Sequence, residues 1–493
     1  MKRSFFKALF ACALYLTAGT RLFAQDFNVT AFGAVADTTK LSTAAINKAV
    51  DACYRNGGGR VVIPAGNFKS GTIVLKDNVE LHLQRGAVLY ASTRHADFSP
   101  QQRPEYRSQK DPGGWYALIY AVNAKSIAIS GAGTIDGRGA SQSPRPGLPQ
   151  GDLDGRPRNV LFISCQNVSV KDVSMRNAGI WNQHYLNCED VIVDRINVYN
   201  HANRNNDGID IDGCRRFVLS NSIIDSDDDA IVLKSTGSAG CSDVVITNCI
   251  TSSYTNAIKC GTESTGGFKN ITISNCVVKP TKSKEPPIFG RTNIGITALS
   301  LEIVDGGIMD GVNVNNIVIE GTECPIYVRL GNRARKYMEG IPTPPPGTMR
   351  NVRISNITAY NTGNYCSSIT GVPGALIENV SVDHVTFRNA GGLKSGEYIA
   401  RHDLVSEDEK GYPEPTVWKA LPSSAFFIRH VKDIALSDIV LASEKPDERT
   451  AVIAVDVLNL SIERMRTLSG AVPEVQLIDV KQARTEPGLK RRD

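Results

Sequence analysis

Between residues 167 and 467 the chain repeats one cadence. An Asn or Asp corner is followed by apolar residues at alternate positions, then a second polar corner and another β-branched pair. NVSVKDVSM at 167, DVIVDRINV at 190, RFVLSNSII at 216, DVVITNCIT at 243 and NITISNCVV at 270 start 23, 26, 27 and 27 residues apart. GVNVNNIVI at 311, NVRISNITA at 351, NVSVDHVTF at 379, KDIALSDIV at 432 and NLSIERMRT at 459 continue it. A fixed period of this length marks stacked repeats, and period-two alternation without a crossover helix makes each repeat two or three short strands. The pattern predicts an all-β chain, a right-handed parallel β-helix of roughly ten coils in which each strand lies on the one before it.

Ahead of the repeats, Ala44, Ile46, Val50 and Cys53 share one helical face, opened by Ser42 or Thr43 and stopped by Gly57-Gly58-Gly59. This short helix is expected to cap the open N-terminal end of the solenoid, where core and strand edge would otherwise meet water. RVVIP, TIVLK and VELHL follow as β-rich runs. The wider steps from 270 to 311, 311 to 351 and 379 to 432 imply long loops or unflagged coils. GIPTPPPGT at 340–348 and HDLVSEDEKGYPEP at 402–415 are the clearest loops, placed to wall a groove. The expected divisions are 1–24 signal peptide, 25–100 cap and first coils, 101–470 β-helix catalytic domain and 471–493 C-terminal tail or cap.

The first 24 residues change the setting. Lys2, Arg3 and Lys7 precede an apolar run from Ala8 to about Thr17, and Leu22-Phe23-Ala24 precedes Gln25, the form of a cleaved secretory signal. No segment approaches the ~20 apolar residues of a membrane span. An exported protein, periplasmic or extracellular, is expected, with a monomer the default for the fold. The net charge of +5 includes four basic residues of that segment, leaving about +1, so charge supports no nucleic-acid role. The ten cysteines after Cys12 lack metal-site spacing; Cys188, Cys249 and Cys276, each behind an Asn, read as small buried side chains stacking on one another.

Two segments break the apolar cadence with carboxylates: NNDGIDIDG at 205–213 and DSDDDAIVLKS at 225–235. Aligning Asp207-Gly-Ile, Asp229-Ala-Ile and Asn256-Ala-Ile points Ile209, Ile231 and Ile258 inward. Asp207, Asp229 and Asn256 then form one column, with Asp228 one residue before it, opposite Asn206 and Thr255. Carboxylates this close repel, so at least one keeps its proton above the usual range. An acid beside ionised carboxylates is the pair that glycosidic hydrolysis needs. Capping of turns is the alternative, and it suits Asp225 and Asp227.

These residues resemble the polygalacturonase family, glycoside hydrolase family 28. The family's Asn-Thr-Asp-Gly is matched by Asn205-Asn206-Asp207-Gly208, its Asp-Asp by Asp228-Asp229 at the same 21-residue spacing, and the FGA…D…AIN…GGG…IP segment is also similar. The resemblance implies hydrolysis with inversion, Asp228 as general acid and Asp207 and Asp229 holding and activating the water, with no cofactor or metal. Two family elements are missing. Thr255-Asn256-Ala257 stands where Gly-His-Gly is expected, and Ala298-Leu299-Ser300 where an Arg-x-Lys would grip a galacturonate carboxylate.

Candidate substrate-binding residues are therefore Asn205, Asn256, Lys259, Arg329, Arg333, Trp181 and His184, each with a packing or surface role as the alternative. Arg335, Arg291, Glu263 and His201 are weaker candidates. The expected partner is a pectic or related acidic polysaccharide. Open alternatives are a rhamnogalacturonan- or other-sugar-specific hydrolase, a calcium-dependent lyase on the same fold, and a non-catalytic glycan-binding β-helix.

Overall fold

The computed structural model describes residues 25–99, 104–109, 115–143, 155–283 and 291–492, so the signal-like segment 1–24 lies outside the described residues. The chain coils as a parallel β-helix, each strand pairing in parallel with its counterpart one turn earlier. A coil-by-coil crossover of this kind takes the right-handed sense.

All ten repeats stack in one sheet. The apolar residue after each first corner, from Val168 through Phe217, Ile271 and Val352 to Leu460, falls in a single inward column without a skipped coil. These residues are 2% exposed or less, and burying each contributes about 1.5–3 kcal/mol. Direct pairing of Ile271 with Val312, Val312 with Val352 and Val380 with Ile434 shows that the three wide steps are excursions from one coil, not additional coils.

The corners explain the Asn-rich signature. In successive repeats two residues five apart adopt the left-handed backbone region, for example Asn270 and Asn275 (φ 54° and 55°) and Asn351 and Asn356 (φ 57° and 55°). Asn tolerates this region at little of the roughly 1–2 kcal/mol that other side chains pay. Its amide also bonds the corner above or below: Asn316 Nδ2 donates to Asn275 Oδ1 at 2.8 Å and Asn379 Nδ2 to Asn351 Oδ1 at 2.6 Å.

The helix α1, Thr43–Arg55, covers the first coils with Ile46, Val50 and Cys53 in the core. Ala45 and Ala49 join that face, whereas Ala44 is exposed. The Ser42 carbonyl accepts the Ile46 NH at 2.9 Å, but its side chain does not cap the helix; the hydroxyl instead exchanges hydrogen bonds with the Val35 backbone. The C-terminal end carries strands at Glu474–Thr485 and Lys490–Arg492 that continue the stack. All ten cysteines among the described residues are buried and unpaired. No helix among the described residues is long and apolar enough to cross a membrane.

Candidate active site

One sheet carries the acidic segments. Its middle strands are β1 (Gln183–Leu186), β2 (Ile209–Asp212), β3 (Ile231–Ser235), β4 (Asn256–Ser264), β5 (Gly295–Ile303) and β6 (Thr322–Leu330). Ile209, Ile231, Ile258, Leu299 and Ile326 pair along it and fill the core, which fixes the opposite face as the site. Asp207 enters just before β2 and Asp228 and Asp229 just before β3; the backbone NH of Gly208 donates to the Asp229 carbonyl at 2.9 Å. Gly208 is required here, because a Cβ would lie 2.5 Å from the Ala230 carbonyl oxygen and 2.4 Å from Ile224 Cγ2.

The carboxylates of Asp207, Asp228 and Asp229 converge, each offering an oxygen within 4.8 Å of the others. Asp207 and Asp229 are buried and Asp228 is half-buried. Each buried carboxylate has its own ammonium. Lys234 Nζ lies 3.6 Å from Asp207 Oδ2, and 3.6 Å from both Asp210 Oδ1 and Glu263 Oε2. Lys259 Nζ lies 3.4 Å from Asp229 Oδ2 and 3.8 Å from Glu302 Oε1. Asn256 Nδ2 donates to Asp229 Oδ1 at 2.7 Å, and the Thr255 hydroxyl lies 3.1 Å from both Asp228 Oδ1 and Asp229 Oδ1.

Protonation follows burial first and mutual repulsion second. Burial, joined by the Asp229 charge, pushes the Asp228 carboxyl up to about 6. Burial and then Asp210 and Asp228 hold Asp207 well above the carboxylate range, and burial carries Asp210 to about 8 and Glu302 to about 7. A carboxylic acid beside carboxylates at neutral pH is thus a product of the fold.

The other sequence candidates divide. Asn205 Nδ2 reaches Asp228 Oδ2 at 3.5 Å and Asn256 grips Asp229, so both touch the carboxylates. Lys259 is no solvated cation reaching into a groove: at 1% exposure it is the buried counter-ion of Asp229, with the Tyr412 hydroxyl 3.5 Å away.

Trp181 and His184 are corrected from sugar contacts to packing. Trp181 is 3% exposed with the His184 ring edge-on at 4.9 Å and the Lys234 ammonium 4.7 Å from its centre. His184 is sealed against Asp212 at 3.0 Å, and burial drops its imidazole to about 4. Arg329 is likewise withdrawn from the groove. Its guanidinium donates to the carbonyls of Gly371, Glu407 and Asp408 at 3.2, 2.6 and 3.1 Å, clamping the 402–415 excursion.

Arg335 is committed to Asp305 and Glu263, and Arg291 to Glu323 and Asn361. Arg333 stands over the Tyr412 ring at 5.3 Å. His201 lies between Asp225 and Asp227 at 2.9 and 2.5 Å; burial opposes its charge, but the two carboxylates carry it to about 9. Those two Asp residues therefore hold a histidine.

Sequence reasoning passed over Lys234, Asp210, Glu302 and Tyr412. Lys234 was reachable, since alternation from inward Ile231 and Leu233 puts it on the site face, where it pairs across from Asp212. Tyr412 was not: 153 residues separate it from Lys259.

An exo-poly-alpha-D-galacturonosidase of Dickeya chrysanthemi is 30% identical over 264 residues, covering 44% of this chain and 43% of that protein, so the match spans less than half of the relative's length. The structure superposes on a hyperthermoactive exopolygalacturonase of Thermotoga maritima with a TM-score of 0.61 at 21% identity, covering 74% of this chain and 87% of the other. A family 28 exopolygalacturonase of Yersinia enterocolitica gives 0.64 at 19% identity, covering 92% and 79%. At such identities the likeness concerns the fold, which is the right-handed β-helix read above. The model of glycosyl hydrolases family 28 matches residues 53–391, and the chain belongs to that family.

Proposed function

We propose that the protein is an exported polygalacturonase-like hydrolase that cleaves glycosidic bonds in pectin or a related acidic plant polysaccharide. In this reading 101–470 is the catalytic β-helix, 25–100 its cap and first coils, and 471–493 its C-terminal tail or cap. Asp228, half-buried and held near pH 6, protonates the leaving oxygen. Asp229, fixed by Asn256 and Lys259, takes the proton of the attacking water, and Asp207 beside Lys234 orients that water. The observation that carries the reading is the convergence of three carboxylates within 4.8 Å, two of them backed by separate buried lysines.

Inversion rests on the family resemblance. The carboxylates lie closer than the roughly 6.5–9.5 Å usual for inverting pairs, and the third carboxylate gives the water a place among them. Export rests on the basic, apolar and small-residue order of residues 1–24.

A second reading, hydrolysis next to a sugar other than galacturonate, is favoured by one feature. The Arg-x-Lys position is Ala298-Leu299-Ser300 and carries no cation of its own; the Ser300 hydroxyl instead donates to Glu302 Oε1 at 2.6 Å. The test is reducing-end release from polygalacturonate and rhamnogalacturonan, with the product anomer followed by NMR. The wild type should release an inverted product and Asp228→Asn about 10²-fold less or nothing. A retained anomer would remove inversion; release from neither polymer would remove the hydrolase reading.

A further inference from the structure

Around the carboxylates nearly every cation is already spent. Lys234 faces three carboxylates, Lys259 two, Arg335 two, and Arg329 four oxygen acceptors of the 370–408 region. Arg333 differs. Its Nη1 is buried yet has no hydrogen-bond partner among the described residues. A buried guanidinium NH left unmet is costly, so an acceptor from outside the chain gains by filling the place.

The surroundings say what kind of acceptor. Arg333 leaves the sheet three residues after β6, and its guanidinium lies 5.3 Å from the centre of the Tyr412 ring. The Tyr412 hydroxyl is 3.5 Å from Lys259 Nζ, which is 3.4 Å from Asp229. Tyr412 as a residue is 49% exposed although two cations lie over its ring. Two excursions, one after β6 and one at 402–415, therefore set a planar cation with an unmet NH and a half-exposed aromatic side chain one side chain away from the acidic centre. Planar cation and ring together match a sugar that bears a carboxylate: the guanidinium fork takes the carboxylate in a bidentate contact, and the ring takes the apolar face of the pyranose.

We infer that Arg333 and Tyr412 form a subsite that reads the carboxylate of a uronate residue next to the cleaved bond. The inference deepens the hydrolase reading and rests on it for the identity of the site, but its test reads binding. Trigalacturonate and its methyl ester are titrated calorimetrically into the full chain carrying Asp228→Asn, with and without Arg333→Gln, at low and high salt. Arg333→Gln should weaken trigalacturonate about tenfold or more, chiefly at low salt, and leave the already weaker ester within about twofold. Should Arg333→Gln not fold, as judged by circular dichroism, Arg333→Lys carries the test: it keeps the charge, loses the fork, and should fall between the two. Equal weakening of acid and ester, an unchanged affinity, or no binding of trigalacturonate at all overturns the subsite. If the wild type hydrolyses no pectic polymer yet trigalacturonate binding still depends on Arg333, the hydrolase reading fails and the subsite stands.

Discussion

The hydroxyl of Thr255 offers one proton to two carboxylates, at 3.1 Å from Asp228 Oδ1 and 3.1 Å from Asp229 Oδ1. Replacing it by Val keeps the shape and removes the donor. A hydrogen bond to a charged group is worth about 1.5–3 kcal/mol, and half of that assigned to Asp228 is about 0.7–1.5 kcal/mol. Since one pKa unit is about 1.4 kcal/mol, loss of the donor should raise the Asp228 carboxyl by about 0.5–1 unit from its value of about 6. Asp228 must be protonated to act as the acid, so kcat/KM should fall about tenfold per pH unit on the alkaline side of that value. The assay is the pH profile of kcat/KM for reducing-end release. Thr255→Val should move the alkaline limb to higher pH by about 0.5–1 unit, and Thr255→Ser should leave it in place. The position of the limb is independent of the height of the plateau, so damage to Asp229 does not confuse the reading. A limb that stays put in Thr255→Val, or moves to lower pH, refutes Asp228 as the acid held by this network.

Two further outcomes are expected. His201 is carried from an ordinary 6.5 to about 9, so its stabilisation is complete below pH 6.5 and is lost as pH rises through 9, a swing of about 3 kcal/mol. Urea unfolding should show that decline in the wild type and not in His201→Gln; parallel slopes would end the claim. Gly208→Ala should cost about 1–3 kcal/mol by pressing on the Ala230 carbonyl, which cannot retreat because it accepts the Ile209 NH at 3.0 Å. Activity should drop with it as Asp207 is displaced, and a variant with wild-type melting and rate would contradict the close approach.

The coil was legible because two residue types report it: β-branched residues at alternate positions, and Asn or Asp at corners that need a positive φ. The carboxylate trio was legible for the same reason, since inward Ile209, Ile231 and Ile258 leave Asp207 and Asp229 only one side to occupy. Periodicity fails to say what covers the outer face. Trp181, His184 and Arg329 lie on that face and were read as available, but Lys234, Asp212 and the carbonyls of the 402–415 excursion enclose them. Burial there comes from neighbouring coils and returning loops at separations the period does not specify, 28 residues for Asp212 on His184, 78 for the Glu407 carbonyl on Arg329 and 153 for Tyr412 over Lys259. Repulsion among the carboxylates follows from spacing, whereas desolvation, the larger cause of their raised titration, requires knowing the cover.

Because consecutive coils lock through Asn-to-Asn rungs at fixed corners, a segment inserted between corners need not disturb the rungs. Doubling such a segment adds only about 0.6 kcal/mol of closure entropy. The carboxylate-bearing sheet and the excursions that carry Arg333 and Tyr412 are therefore separately mutable: an excursion can lengthen, shorten or change charge while the corner rungs stay in place. On the proposed function, a lineage could change the polymer it takes by rewriting those two excursions.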